Sequence, residues 1–420
     1  MTTGQEVHSK VRASIRIVAA VAATLILASV AGAASEHVIF SFNEDYGEYP
    51  DSDLVLDAAG NIYATTVGGG DFGSGAVVRL SPSAQGWKET VLYSFHGSTD
   101  GSEPYGGVTL DAQGNVYGTT VAGGSFAGAS CIDTGCGVAF KLTRLNGVWI
   151  ETVIHSFAGG ADGYGPGAGL AIDRQGDLYG ATPTGGADGA GVIYELTPGT
   201  GGKWREAILH TFSGGLDGIG GSAGRLLLDR TGNLWGVATA GGQYGSGTAF
   251  ELSPAAGGAW RFNTLYAFRG QPDAGFPYGA LVADGPGNLY GTTYYDGAND
   301  LGSVYRLSLG NGIWTETVLH SFQGGSDGSG PISNLVFDAA GNLYGTTSEG
   351  GAPGCDCGLI FKMTRGAGGQ WTESVAYSFQ GPPDAAFPYN GLASAGAGVF
   401  FGPTVHGGAD DEGSIFSFRP

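Results

Sequence analysis

Val336-Phe-Asp-Ala-Ala-Gly-Asn-Leu-Tyr-Gly-Thr-Thr347 is one of a series of near-copies that runs the length of the chain. The aspartate of each copy falls at Asp57, Asp111, Asp173, Asp229, Asp284 and Asp338, at intervals of 54, 62, 56, 55 and 54 residues. A seventh, degraded copy spans Leu392 to Thr404 and carries Ala395 in the aspartate position. Self-similarity at this period restricts the chain to repeat architectures, in which each unit buries its apolar faces only against its neighbours.

Each unit contains four strand-like pieces, here lettered a to d. In the second unit they are Gly107 to Asp111, Asn115 to Thr120, Gly137 to Leu142 and Ile150 to Phe157. The a–b link is a tight Asp-x-x-Gly-Asn turn, in which Gly takes positive φ and Asp bonds back to the turn amides. Strand d alternates, with Val91, Tyr93 and Phe95 on one side and Thr90, Leu92 and Ser94 on the other, the period of a strand. Seven a–b–c sets are followed by only six d strands; the missing one stands at the other end, as Glu36 to Phe42. In register with Glu89 to Phe95 it matches at Glu36, Val38, Ser41 and Phe42. The split repeat predicts a closed ring, an all-β seven-bladed β-propeller of four-stranded antiparallel sheets, with the N-terminal strand completing the last blade. The blades fall at about 53–95, 106–157, 167–212, 223–268, 279–322, 332–379 and 390–418 plus 36–42.

The Gly-Leu-x-x-Asp-x-x-Gly-Asn-Leu-Tyr-Gly-Thr-Thr pattern, followed by Gly-Gly and then Gly-x-Val-Phe-x-Leu, resembles the GloVer tandem-repeat family over nearly all of residues 36–418. The resemblance implies an exported protein and supplies no reaction. Members often carry a C-terminal surface anchor; here the chain ends on strand-like Ser414 to Pro420, with no hydrophobic tail.

Residues 1–35 agree with export. Lys10, Arg12 and Arg16 precede the apolar run Ile17 to Ala31, and small residues follow, the order of a signal peptide. The run is short for a membrane span, and nothing later could cross a bilayer. The expected location is secreted or periplasmic, and the expected state is a monomer. Cys131–Cys136 and Cys355–Cys357 read as two local disulfides, the second a tight Cys-x-Cys ring, because the repeat keeps the two pairs too far apart for one zinc site. Thirty-eight acids against 18 bases give a formal charge of −20, which disfavours nucleic acid and anionic membranes as partners.

In an up-and-down sheet the d–a and b–c loops share one face. The d–a loops are the longer class, so function is expected there. They carry Phe-x-Gly-Gly-x-Asp-Gly-x-x-Pro, with the aspartates Asp100, Asp162, Asp217, Asp273, Asp327 and Asp384 expected to ring the channel mouth. Two readings stand: each Asp orders its own turn, or the ring binds a cation or sugar hydroxyls. Tyr49, Tyr105, Tyr164, Phe276, Tyr278, Phe387 and Tyr389 lie nearby, and an aromatic face beside Asp and Asn suits a sugar ring. His155, His210 and His320 occupy a strand-d position that is Tyr or Phe elsewhere, so they read as packing residues in blades too far apart to share a metal. Blade five departs from the repeat at Tyr294-Tyr-Asp-Gly-Ala-Asn-Asp300, which makes Tyr295, Asp296, Asn299 and Asp300 the best local candidate for a ligand or Ca²⁺. No nucleotide loop, nucleophile elbow or His-Glu-x-x-His motif is present, and no other cofactor is implied. The expected function is a non-catalytic binding module for a glycan or an envelope protein. The alternatives are a carbohydrate lyase or hydrolase using Asp side chains on that face, and a structural surface component.

Overall fold

In a computed structural model, the described residues are 34–45, 47–125, 131, 134–221 and 224–420; the signal segment expected over residues 1–35 lies outside them except for Ala34 and Ser35. Seven antiparallel sheets form a ring, a seven-bladed β-propeller. In blade 1 the strands are Val55–Leu56 (a), Ile62–Thr66 (b), Ala76–Ser83 (c) and Gly86–Ser94 (d), hydrogen-bonded in that order. Blades 2 to 6 repeat the order, and blade 7 joins Ala393–Gly396, Val399–Thr404 and Ser414–Arg419 to the N-terminal strand Ser35–Ser41. That last pairing runs antiparallel from Ser35 opposite Arg419 to Ser41 opposite Ser414, so the ring closes as the split repeat requires. In blades 4 and 5 the d–a loop adds a short strand, Ile219–Gly221 or Ala274–Pro277, to an extended strand b.

The repeated phrase builds the two inner strands and pins them. Asp57 accepts from the amides of Ala59 (2.9 Å) and Asn61 (3.0 Å), from the Asn61 side chain (2.6 Å) and from the Tyr63 hydroxyl (3.2 Å). Asp111, Asp284 and Asp338 bind their Asn and Tyr partners in the same way. The glycine of Tyr-Gly-Thr-Thr is required by strand c. A Cβ on Gly118, Gly180, Gly236, Gly291, Gly345 or Gly402 would lie 2.3–2.6 Å from the Phe or Tyr ring opposite it. Blade 1 alone has Ala64 there, and its partner has shrunk to Val78. The last Thr ties b to c: Thr120 Oγ1 accepts from the Val138 amide (3.1 Å) and donates to the Ala122 carbonyl (2.8 Å).

The hydrophobic core lies between blades. Tyr63, Val77, Leu92 and Phe95 of blade 1 pack on Val108, Val116, Val138, Phe140 and Leu142 of blade 2, and the remaining junctions repeat the scheme. The Trp that opens strand d reaches back to the preceding blade, as in Trp204 edge-on to Tyr117 (6.0 Å) and Trp371 to Tyr290 (5.8 Å). The alternation expected along strand d is interrupted: every c–d pair carries a β-bulge, between Val77 and Val78 in blade 1. The extra residue turns Leu92 into the core and lets Tyr93 face the loop above it. Both expected cysteine pairs are joined, with Cα–Cα separations of 5.2 and 5.1 Å. No helix among the described residues is long and apolar enough to cross a membrane.

Candidate functional site at the channel mouth

Residues at the start of strand a from five blades line a single space, which places these strands on the axis. Above them, on the face of the d–a and b–c loops, the channel opens into a cavity of about 420 Å³. Asp51, Asp53, Tyr105, Arg225, Tyr278, Asn334, Tyr389 and Asn390 supply its polar wall from d–a loops, and Tyr294 and Glu349 from the b–c side.

Asp53, Arg225 and Asn334 border both the mouth and the channel beneath it, so they form the floor. The Asn334 amide nitrogen straddles both oxygens of Asp53 at 2.7 Å, across the gap from blade 6 to blade 1. One level up, Asn390 of blade 7 donates to Asp51 at 2.6 Å. Both carboxylates line the mouth and are partly buried. Burial pushes Asp51 up to about 6, against the Asn390 hydrogen bond and with the help of the neighbouring Asp53 charge. Burial also raises Asp53, and the Arg225 guanidinium and Asn334 oppose the rise. Tyr105, Tyr278 and Tyr389 line the same cavity as Asp51, and their phenols are each raised chiefly by burial, with Glu103 and Asp51 adding to the rise at Tyr105, Asp51 at Tyr278, and Asp51 and Glu349 at Tyr389. These rings are 36–44% exposed, enough to present a face to a guest.

The loops carry these groups at a fixed offset from strand a. In the stretches Pro50 to Leu54, Pro104 to Val108, Pro277 to Leu281, Pro331 to Leu335 and Pro388 to Leu392, the residue after the Pro and one of the two that follow it line the cavity. Ser52 and Ser333 fix the loop to strand b, exchanging hydrogen bonds of 2.9–3.2 Å with the backbone of Thr65 and Thr346. Tyr105, Tyr278 and Tyr389 were readable as candidates, whereas Asp51, Asp53, Arg225, Asn334 and Asn390 were missed. The signal for them is divergence: between a Pro and a Leu or Val that recur, these positions vary among the blades, whereas the turn and strand residues around them repeat.

The six repeated aspartates lie elsewhere. None lines the mouth; each sits beside strand d, the outermost strand, because its loop folds back over the blade edge. Asp100 accepts from the His96 amide (2.9 Å) and the Tyr93 hydroxyl (2.8 Å), and Asp384 from the Gln380 amide (2.8 Å) and the Tyr377 hydroxyl (3.0 Å). In blades 2, 3 and 5 the strand-d partner is a histidine: His155 to Asp162 (3.2 Å), His210 to Asp217 (3.1 Å) and His320 to Asp327 (3.1 Å). Asp273 lies near Tyr266 and Glu316. Asp100, Asp162, Asp217, Asp327 and Asp384 thus each order their own turn, and the histidines do more than pack. From the next blade a strand-d glutamate faces the same spot: Glu151, Glu206, Glu316, Glu373 and Glu36. Burial first, and then in Glu36 the neighbouring Asp384, pushes that glutamate up to about 8. Glu89, Glu151 and Glu316 are pushed to about 7, again chiefly by burial.

Of the blade-five candidates Asp296 is buried in the frame, whereas Tyr295, Asn299 and Asp300 are exposed. Asp296 adopts φ of +62°, where other blades have glycine, and its carboxylate fills the space above Gly275 and Gly270. Its amide donates to Asp300 (3.2 Å), and the Asn299 side chain donates to the Phe322 carbonyl (2.9 Å). Tyr295 is half exposed and packs at 4.3 Å against Tyr294, which does reach the mouth.

The sequence matches the model of the Gloeobacter/Verrucomicrobia repeat over residues 27–222, 127–336 and 222–420. Among curated proteins none matches. Solved structures resemble the chain at low identity. A protein from Lactobacillus plantarum is 14% identical with a TM-score of 0.51, over 78% of this chain and 85% of its own. A protein of unknown function from Dyadobacter fermentans is 11% identical (TM-score 0.45, 91% and 96% covered). A putative oxidoreductase (glucose dehydrogenase) from Thermus thermophilus is 16% identical (TM-score 0.44, 81% and 98% covered).

Proposed function

This chain belongs to the Gloeobacter/Verrucomicrobia repeat family, and from that premise and the geometry of its axis we propose that it is an exported binding module whose channel mouth holds a small hydroxyl-rich ligand, such as the end of a glycan. The observation that carries the reading is that three tyrosines, Tyr105, Tyr278 and Tyr389, line one cavity together with Asp51. Aromatic faces take the apolar side of a sugar ring, while carboxylate and amide edges take its hydroxyls. Export follows from the charged, apolar, small-residue order of residues 1–35 and suits the two disulfides. The net charge of −20 argues for a neutral or cationic ligand rather than an anionic one.

A second reading has its own support. Asp51 and Asp53 are two carboxylates in one cavity, and Asp51, at about 6, is suited to proton transfer near neutral pH. A glycan-cleaving enzyme would use such a pair.

The test is a thermal-shift and calorimetric screen against a glycan panel, with each hit incubated and checked for cleaved product. The binding reading expects a stabilising glycan that is recovered intact, and roughly tenfold or greater weakening in Tyr278→Ala. Cleavage that is lost in Asp51→Asn would establish the second reading. Undiminished affinity in Tyr278→Ala would remove the mouth as the site.

A further inference from the structure

We propose that two blade junctions are metal sites: His155, Asp162 and Glu206 hold one divalent transition-metal ion between blades 2 and 3, and His320, Asp327 and Glu373 hold a second between blades 5 and 6. In each set one ligand atom per residue lies within 4.8 Å of the other two. His155 Nε2 is 3.2 Å from Asp162 Oδ1 and 3.6 Å from Glu206 Oε1. Those spacings match the edge of a tetrahedron built on Zn–N and Zn–O bonds of about 2.0–2.1 Å, an edge of roughly 3.3 Å. One imidazole proton can satisfy only one of the two carboxylates. Glu206 Oε1 and Glu373 Oε1 are closed off from solvent without a hydrogen-bond partner, as are the corresponding atoms of Glu36, Glu89, Glu151 and Glu316, so the imidazole is what sets these two junctions apart. Two carboxylates facing each other in a half-buried gap repel unless a proton or a cation lies between them.

The ring contains its own controls. At three other junctions the histidine position is Tyr93, Tyr266 or Tyr377, whose hydroxyl donates to a carboxylate and offers no nitrogen ligand, and between blades 7 and 1 it is Phe40. Between blades 3 and 4, His210 and Asp217 are present but Phe262 stands where the glutamate would be, and the imidazole stacks on its ring at 3.8 Å. Among the described residues the nitrogen–carboxylate–carboxylate set is therefore complete at two junctions. One imidazole and two carboxylates favour Zn²⁺ over Ca²⁺, which prefers six to eight oxygens. The ion would bridge neighbouring blades and so add to the stability of the ring.

Zinc chloride titrated calorimetrically into the full chain near neutral pH tests the assignment. It predicts two ions bound per chain, one in His155→Tyr, none in the His155→Tyr and His320→Tyr double variant, and three in Phe262→Glu. Tyrosine is the residue that the ring itself uses at this position, so the His→Tyr variants are expected to fold, and far-ultraviolet circular dichroism checks that they do. Absence of zinc binding to the wild-type chain would overturn the proposal. Stoichiometry unchanged in the folded double variant would overturn it as well, by placing the ions elsewhere.

Discussion

Three residues before the apolar residue that leads into each strand a, the blades carry Asp51, Tyr105, Gly167, Tyr278, Ile332 and Tyr389. Two residues after the Trp position of strand d, they carry Glu89, Glu151, Glu206, Glu316 and Glu373, with Phe262 the departure. The first set faces the channel mouth and the second lies between the outer strands. Both regions bury carboxylates, but in different company. At the junctions each carboxylate meets the same loop and the same strand in blade after blade, which is what a structural part requires. At the mouth the partners change from one blade to the next, and the seven loops together make one asymmetric surface. Divergence within a repeat marks the region freed from building the frame.

The largest effect that would sharpen the contrast comes from the frame. Removing residues 36–42 takes away strand d of blade 7 and the fully buried Phe42. Either an insoluble chain or a melting temperature lower by several degrees is expected, because cavity, edge and junction are lost together. A melting temperature equal to that of the parent would contradict the closed ring.

A smaller effect is expected at a junction without histidine. Glu36 rises from its ordinary 4.5 to about 8 on folding, so the folded state binds the proton more tightly than the unfolded chain. The stability this group contributes is complete below pH 4.5 and is lost as pH rises through about 8. Glu36→Gln, which keeps a donor for Asp384, should flatten the decline in melting temperature between pH 4.5 and about pH 8. Identical pH profiles for parent and variant would show that the carboxyl pair is not coupled to folding.

The smallest structural effect belongs to the mouth. Tyr278 is 44% exposed, and its replacement by Ala should cost under about 1 kcal/mol of stability while weakening ligand binding roughly tenfold or more. A large loss of stability without a change in affinity would make the mouth another piece of frame.

The ring was legible because closure depends on counting: six d strands follow seven a–b–c sets, and the seventh d strand stands at Glu36 to Phe42. The a–b turn was legible because its chemistry is local, four residues from Asp57 to Asn61. The cross-blade geometry was not. That Asp162 meets Glu206 depends on how one blade docks on the next, and spacing along one strand carries no trace of it. The same limit hid Asp53 with Asn334, residues 281 positions apart that touch only across the axis. The strand-d bulge also altered the side-chain alternation that a regular strand would keep.

The most direct test of recognition at the mouth is difference density from crystals soaked in the best-binding glycan. The account predicts density in the axial cavity, with a ring face against Tyr278 or Tyr389 and a hydroxyl within hydrogen-bond distance of Asp51. Density seated instead on the outer junctions or on the Tyr295–Asp300 turn, with the cavity unchanged, would contradict it.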